Sequence, residues 1–164
     1  MSEVFRLLAE KDIEKFQRLL TAAYADDLQY GIRFQAAFAT EEDIKLHLEG
    51  NLCYVLERDG EIITSCSLRM PWGPNPGPDV FPHLGWVVTQ SRYKRLGFSS
   101  RMLDWLEQEI LIKQFKAPAV TLGTAEEHPW LITMYEKRGY VAYLKRRLRE
   151  DHITVYMKKT LRLR

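Results

Sequence analysis

Gln90-Ser91-Arg92-Tyr93-Lys94-Arg95-Leu96-Gly97-Phe98-Ser99-Ser100 joins two segments of different period. Before it, Val80 to Thr89 is apolar and rich in β-formers, which predicts a central strand. After it, Phe98 to Lys113 carries Met102, Leu103, Leu106 and Ile110 along one face and charges on the other, which predicts a helix. N–H groups of a first helical turn point outward, the helix dipole adds positive potential, and Gly97 permits close approach of the backbone. With Arg92, Lys94 and Arg95 beside it, the junction is a candidate phosphate site. Its spacing is neither that of a P-loop nor that of a dinucleotide fingerprint, and a glycine before a helix also has purely structural uses.

Working outward, Val4 to Leu8 reads as a short first strand, and Lys11 to Tyr24 follows with Ile13, Phe16, Leu19, Leu20 and Ala23 at helical spacing. Thr40 with Asp43 resembles a capping box for a helix through Leu48 that Gly50 ends. Leu52 to Glu57 and Glu61 to Arg69 form a hairpin about Asp59-Gly60, a type I′ signal. The stretch Pro71 to Pro78 is a loop. Downstream, Ala119 to Leu122 is a short buried strand, and Pro129 starts a helix that runs to Arg138 and stops at Gly139. Tyr140 to Leu148 and Ile153 to Leu161 close the chain as a hairpin turning near Glu150-Asp151. The order β-α-α-β-β-β-α-β-α-β-β predicts one α/β domain over residues 1–164: a mixed, mostly antiparallel sheet of about seven strands flanked by four helices.

Composition narrows the function classes. Twenty-four basic against 22 acidic residues leave a net charge of +2, which gives no general field for nucleic acid. A late basic group, Lys145, Arg146, Arg147, Arg149, Lys158, Lys159, Arg162 and Arg164, reads as solvated strand faces as readily as an anion site. No basic leader precedes an apolar run and no 18 consecutive residues are apolar, so a cytoplasmic protein without membrane association is expected. His47, His83, His128 and His152 are scattered, so no metal is expected. If the hairpin keeps the register of its turn, Cys53 faces Cys66 at about 4.5 Å between Cα atoms. Two half-buried thiols acting as small apolar groups are the simpler reading in a reducing compartment.

Together with the element order, the junction resembles the GNAT superfamily of acyl-CoA-dependent N-acetyltransferases, most strongly from Phe81 to Tyr140. The family's signature is Arg or Gln, two residues, Gly, one residue, then Gly or Ala; here Lys94-Arg95-Leu96-Gly97-Phe98-Ser99 keeps the glycine and departs at Lys94 and Ser99. A second mark, a helical Tyr followed shortly by Gly and an aromatic, is matched by Tyr135-Glu136-Lys137-Arg138-Gly139-Tyr140. Where the family often has Asn seven residues earlier, this chain has His128.

The resemblance implies direct acetyl transfer from acetyl-CoA to a primary amine with both substrates bound. It assigns the pyrophosphate to backbone amides of Lys94, Arg95, Leu96, Gly97, Phe98 and Ser99, and the pantetheine arm to Val87, Val88 and Thr89, with His128 in the place of the arm-binding Asn. The arm would pair with a strand edge as an added strand does, and the Val87 and Val88 amides would stabilise the developing oxyanion. Tyr135 resembles the general acid for the leaving thiolate; apart from that pattern it reads as a core tyrosine. For the general base, some relatives carry Glu where this chain has Gly123, so other groups or solvent must serve; His83, eleven residues before Lys94, stands where some family members carry a base on the central strand, although a lone strand histidine is usually packed. Glu126 and Glu127 follow the same strand.

The acceptor side is aromatic: Tyr24, Tyr30, Phe34 and Phe38 with Asp26 and Asp27 suit a cationic amine, with Trp72 as a cover, and they equally suit helix packing. Small-molecule and peptide amines both fit, and a homodimer through the terminal strands is a candidate assembly. A non-catalytic acyl-CoA-binding module of the same fold is the alternative.

Overall fold

The computed structural model describes residues 2–23, 39–149 and 152–162. It divides into two compact units, Met1–Leu68 with Trp86–Leu106, and Arg69–Gly85 with Glu107–Arg164. The first holds β1 (Glu3–Leu7), a 3₁₀ turn (Glu10–Asp12), α1 (Ile13–Ala23), α2 (Glu41–Gly50), β2 (Leu52–Arg58) and most of β3 (Glu61–Arg69). β4 (His83–Thr89) begins in the second unit and ends in the first, and α3 (Phe98–Trp105) follows it. α3 continues as a π-helix (Leu106–Gln114) that lies in the second unit from Glu107 on, and that unit then adds β5 (Ala119–Ala125), α4 (Pro129–Lys137), β6 (Val141–Arg149) and β7 (His152–Thr160). Hydrogen bonding links the seven strands in the order β1-β2-β3-β4-β5-β7-β6. β4 and β5 pair parallel, while β1–β2, β2–β3, β5–β7 and β6–β7 pair antiparallel. Among the described residues the fold is therefore the expected mixed sheet of seven strands with four helices.

Local chemistry accounts for the element ends. Thr40 Oγ1 accepts from the Asp43 amide at 3.1 Å and the Asp43 carboxylate accepts from the Thr40 amide at 2.9 Å, so two orphan donors at the start of α2 are satisfied. Gly139, at φ +100°, closes α4: its N–H donates to Glu136 O and the Tyr140 N–H to Tyr135 O, a Schellman ending. In the first unit, Phe16 and Leu20 of α1 and Ile44 of α2 pack with Cys53, Val55, Ile62 and Val88 on one sheet face. Each such side chain contributes about 2 kcal/mol by leaving water. On the opposite face Phe5 stacks on Trp105 of α3 at 4.8 Å and Tyr54 meets it edge-on.

Three expectations are corrected. The hairpin turn is as predicted, with Asp59 and Gly60 at φ +50° and +81°, but its register holds only as far as Glu57↔Ile62. A bulge then inserts Ile63, so Leu56 pairs with Thr64, Cys53 with Ser67 and Cys66 with Tyr54. A one-residue slip reverses the face; the two cysteines point to opposite sides of the sheet, and both are buried. The helix predicted from Phe98 to Lys113 is α-helical only to Trp105. Buried pairs recur every four residues, Met102-Leu103, Leu106-Glu107 and Ile110-Leu111. That repeat outruns a 3.6-residue turn, and the wider π-turn keeps the last pair facing inward. β5 also extends three residues past Leu122. The expected turn at Glu150-Asp151 and the end of the first helix at Tyr24 lie outside the described residues. Among the described residues no helix is long and apolar enough to cross a membrane.

Candidate active site

The first unit carries the residues expected to hold the acyl donor. On β4 the Trp86 and Val88 carbonyls accept from Ser65 Oγ at 2.9 Å and Thr64 Oγ1 at 2.7 Å, and the Gln90 N–H donates to Ile63 O. These groups face β3. By strand alternation the amide and carbonyl of Val87 turn to the opposite edge. Pairing of β4 with β5 is confined to His83↔Thr121 and Leu84↔Leu122, upstream of Val87. The break coincides with Trp86, whose φ of +47° costs about 1–3 kcal/mol for a bulky side chain. Its ring is held by a stack on His47 at 3.9 Å and a tilted contact with Phe16 at 5.9 Å, and His47 Nε2 lies 2.9 Å from Ser67 Oγ. Sequence reading did not single out Trp86 or His47, because nothing local announces a positive φ at tryptophan.

The turn that follows is a short 3₁₀ segment (Ser91–Tyr93), then Arg95 at φ +66° and Gly97 at φ +84°, the N-cap of α3. No side chain caps that helix start, and a Cβ at Gly97 would meet nothing within 4 Å. The glycine is therefore required by its dihedral, not by crowding. The three cations separate. Arg92 pairs with Glu61, and Lys94 Nζ donates to Ala23 O at 3.2 Å, at the end of α1. Arg95 is exposed and, among the described residues, makes no ion pair. Uncapped N–H donors beside one uncommitted guanidinium fit a pyrophosphate.

The second unit holds His83, His128 and Tyr135. His83 is buried, with Nδ1 2.7 Å from Thr121 Oγ1 and the backbone of Gly77 packed against its ring. Burial, with the Arg69 charge adding to it, pushes its pKa down to about 3. Such an imidazole is neutral and a weak proton acceptor. Gly123, on β5 where some family members carry Glu, lies opposite Tyr156. A Cβ there would stand 3.0 Å from Thr154 Cγ2 and 3.3 Å from Tyr156 Cε1, so the phenol ring occupies the space of a side chain. His128 is the N-cap residue of α4 and is buried, its ring 4.7 Å from that of Trp130. Tyr135, two turns on, is buried edge-on to Tyr140 at 5.7 Å. Glu126 is exposed and pairs with Lys145, and Glu127 is exposed. Trp72 is exposed and meets Phe115 edge-on; Tyr30, Phe34, Phe38, Asp26 and Asp27 lie outside the described residues. Among the described residues no three His, Cys, Asp or Glu side chains gather as metal ligands.

Comparison with known proteins places this arrangement. Residues 13–140 match the model of the acetyltransferase (GNAT) family, a span that runs through both units. The chain is 45% identical to S-(2-succino)cysteine N-acetyltransferase of Bacillus subtilis (strain 168), over 99% of this chain and 98% of that protein. It is 34% identical to S-alkylcysteine N-acetyltransferase of the same organism, over 97% and 89%. A crystal structure of ribosomal-protein-alanine N-acetyltransferase from Brucella melitensis shares the fold at a TM-score of 0.74 and 20% identity, covering 96% of this chain and 99% of that one. The chain belongs to the acetyltransferase (GNAT) family, whose acyl donor is acetyl-CoA, and is an N-acetyltransferase.

Proposed function

We propose that the protein acetylates the α-amino group of an S-substituted cysteine, with residues 1–164 acting as one catalytic domain. The observation that carries the acceptor class is the 45% identity over nearly all of both chains to an enzyme named for S-(2-succino)cysteine. The second relative, named for S-alkylcysteine, shares the same amino-acid portion and differs at sulfur.

Acetyl-CoA supplies the acetyl group as a thioester. The amides from Lys94 to Ser99 and the Arg95 guanidinium bind its diphosphate, and the β4 edge at Val87 pairs with its amide-bearing arm. Val88 and Thr89 hold that edge straight through their links to Thr64. His128, buried at the start of α4, stands at the sequence position where the family often has its arm-binding Asn. The Val87 amide, already oriented, donates to the carbonyl oxygen as negative charge develops on it, an effect worth about 3 kcal/mol for a good donor. The amine nitrogen forms a bond to the carbonyl carbon as the carbon–sulfur bond breaks. Tyr135 gives its phenolic proton to the departing sulfur and regains one from solvent, to which the nitrogen loses its own proton. His83 is too weak a base to take that proton, so its place is beside Thr121 as a neutral hydrogen-bonding partner.

The test is turnover. Purified protein with acetyl-CoA and S-(2-succino)cysteine or S-methylcysteine should release free CoA and yield the N-acetyl product by mass. Release of CoA with other primary amines but with neither thioether would overturn the acceptor class and leave the transferase assignment standing.

A further inference from the structure

One charged side chain of the second unit has no part in the chemistry above. Arg69 ends β3 half-buried, and its Nε is enclosed without a hydrogen-bond partner. Burial holds the guanidinium below its ordinary pKa, and among the described residues no carboxylate offsets that cost. The groups that feel its charge are Tyr156 and His83. They share one sheet face with Thr121 and Gly123, since His83 pairs with Thr121 and Gly123 with Tyr156, two residues on. The His83 and Tyr156 rings are 6.0 Å apart, and the Arg146 guanidinium lies 5.9 Å from the Tyr156 ring centre. Lys158 on the same face is neutralised by Asp79 at 2.8 Å. What remains is a partly desolvated guanidinium beside neutral hydrogen-bonding groups, with Arg146 adding positive potential.

We propose that Arg69 holds the α-carboxylate of the acceptor amino acid, on the sheet face that carries His83, Thr121, Gly123 and Tyr156. This rests on the acceptor being an S-substituted cysteine. A guanidinium fork matches a carboxylate with two parallel hydrogen bonds. The α-carboxylate stands one carbon from the reacting amine and is common to the acceptors for which both relatives are named, so holding it orients the amine whatever the sulfur carries. An amine lacking the carboxylate leaves the guanidinium unpaired and is rejected for that reason. Gly123 contributes by leaving room for the Tyr156 ring beside the cation.

The experiment compares wild type, Arg69→Gln and Arg69→Lys on S-methylcysteine, S-(2-succino)cysteine and 2-(methylthio)ethylamine, which is S-methylcysteine without its carboxylate. Wild type should favour S-methylcysteine over the plain amine. Arg69→Gln should lose about 100-fold in kcat/KM on both thioether amino acids, because a desolvated charge pair is broken. It should lose little on the plain amine and keep its thermal stabilisation by acetyl-CoA. Arg69→Lys should fall between, and it carries the test if the glutamine variant does not fold. Equal loss on all three acceptors, or no loss, overturns the assignment. Loss confined to S-(2-succino)cysteine overturns it too, by moving Arg69 to a side-chain carboxylate. No wild-type turnover of either thioether sinks the acceptor class with it, whereas wild-type turnover with no carboxylate-selective loss in Arg69→Gln sinks this proposal alone.

Discussion

His83 Nδ1 lies 2.7 Å from Thr121 Oγ1 where β4 and β5 pair. The imidazole is held near pKa 3 by burial and by Arg69, against 6.5 when free. Between those values the unfolded chain binds a proton that the native chain refuses, so stability rises with pH across the window and is lost as pH falls from about 6.5. The slope from this one group is at most about 1.4 kcal/mol per pH unit. Urea titrations at pH 7, 6 and 5 should show the loss, and His83→Gln should reduce it. In kinetics, His83→Gln should leave the pH at which kcat/KM rises unchanged, whereas a general base at this position would move it.

Gly97 is held at φ +84° with open space around a would-be Cβ. Asparagine tolerates this conformation and valine does not. Gly97→Asn should keep most of the thermal shift given by acetyl-CoA, which at a hundred times the dissociation constant amounts to about 2.7 kcal/mol. Gly97→Val should lose it, and a full shift in the valine variant would remove the turn from the donor site.

Tyr135→Phe removes the hydroxyl and keeps the edge contact with Tyr140. With the phenol as proton donor to the leaving sulfur, kcat should fall about 100-fold while the affinity for acetyl-CoA is unchanged. A drop in melting temperature without a drop in kcat would make the residue a core tyrosine.

The bulge at Ile63 separates the thiols of Cys53 and Cys66, and burial pushes Cys53 up to about 12. Mild oxidant should form no internal disulfide, and a thiol reagent at pH 8 should react with both cysteines only after denaturation. A mass loss of two hydrogens in the native protein would contradict the register.

Glu107, buried in the π-helix, accepts from Arg138 Nη2 at 3.0 Å and from Lys159 Nζ. Glu107→Ala strips the shared counter-ion from two cations. Denaturant unfolding should show a loss of about 3 kcal/mol. Leu at the same place should recover less than Gln, because Gln still accepts hydrogen bonds.

What could be read from the chain was written in neighbouring residues. Thr40 with Asp43, Asp59-Gly60, Gly97 and Gly139 act within a turn of their own position. The order of strands and helices, and the turn proposed for diphosphate binding, were therefore legible. The rest depended on partners far along the chain. The bulge at Ile63 reversed the relation of two cysteines, because register beyond a tight turn follows packing on both faces. The positive φ of Trp86 is held by His47, Phe16 and Ser65. His83 offered itself as a base by residue type alone, and its neighbours Thr121, Gly77 and Arg69 make it a neutral one. Arg69 drew no notice among 24 basic residues. Only the tertiary structure withdraws it from water, because desolvation belongs to a place in the fold and not to a residue type.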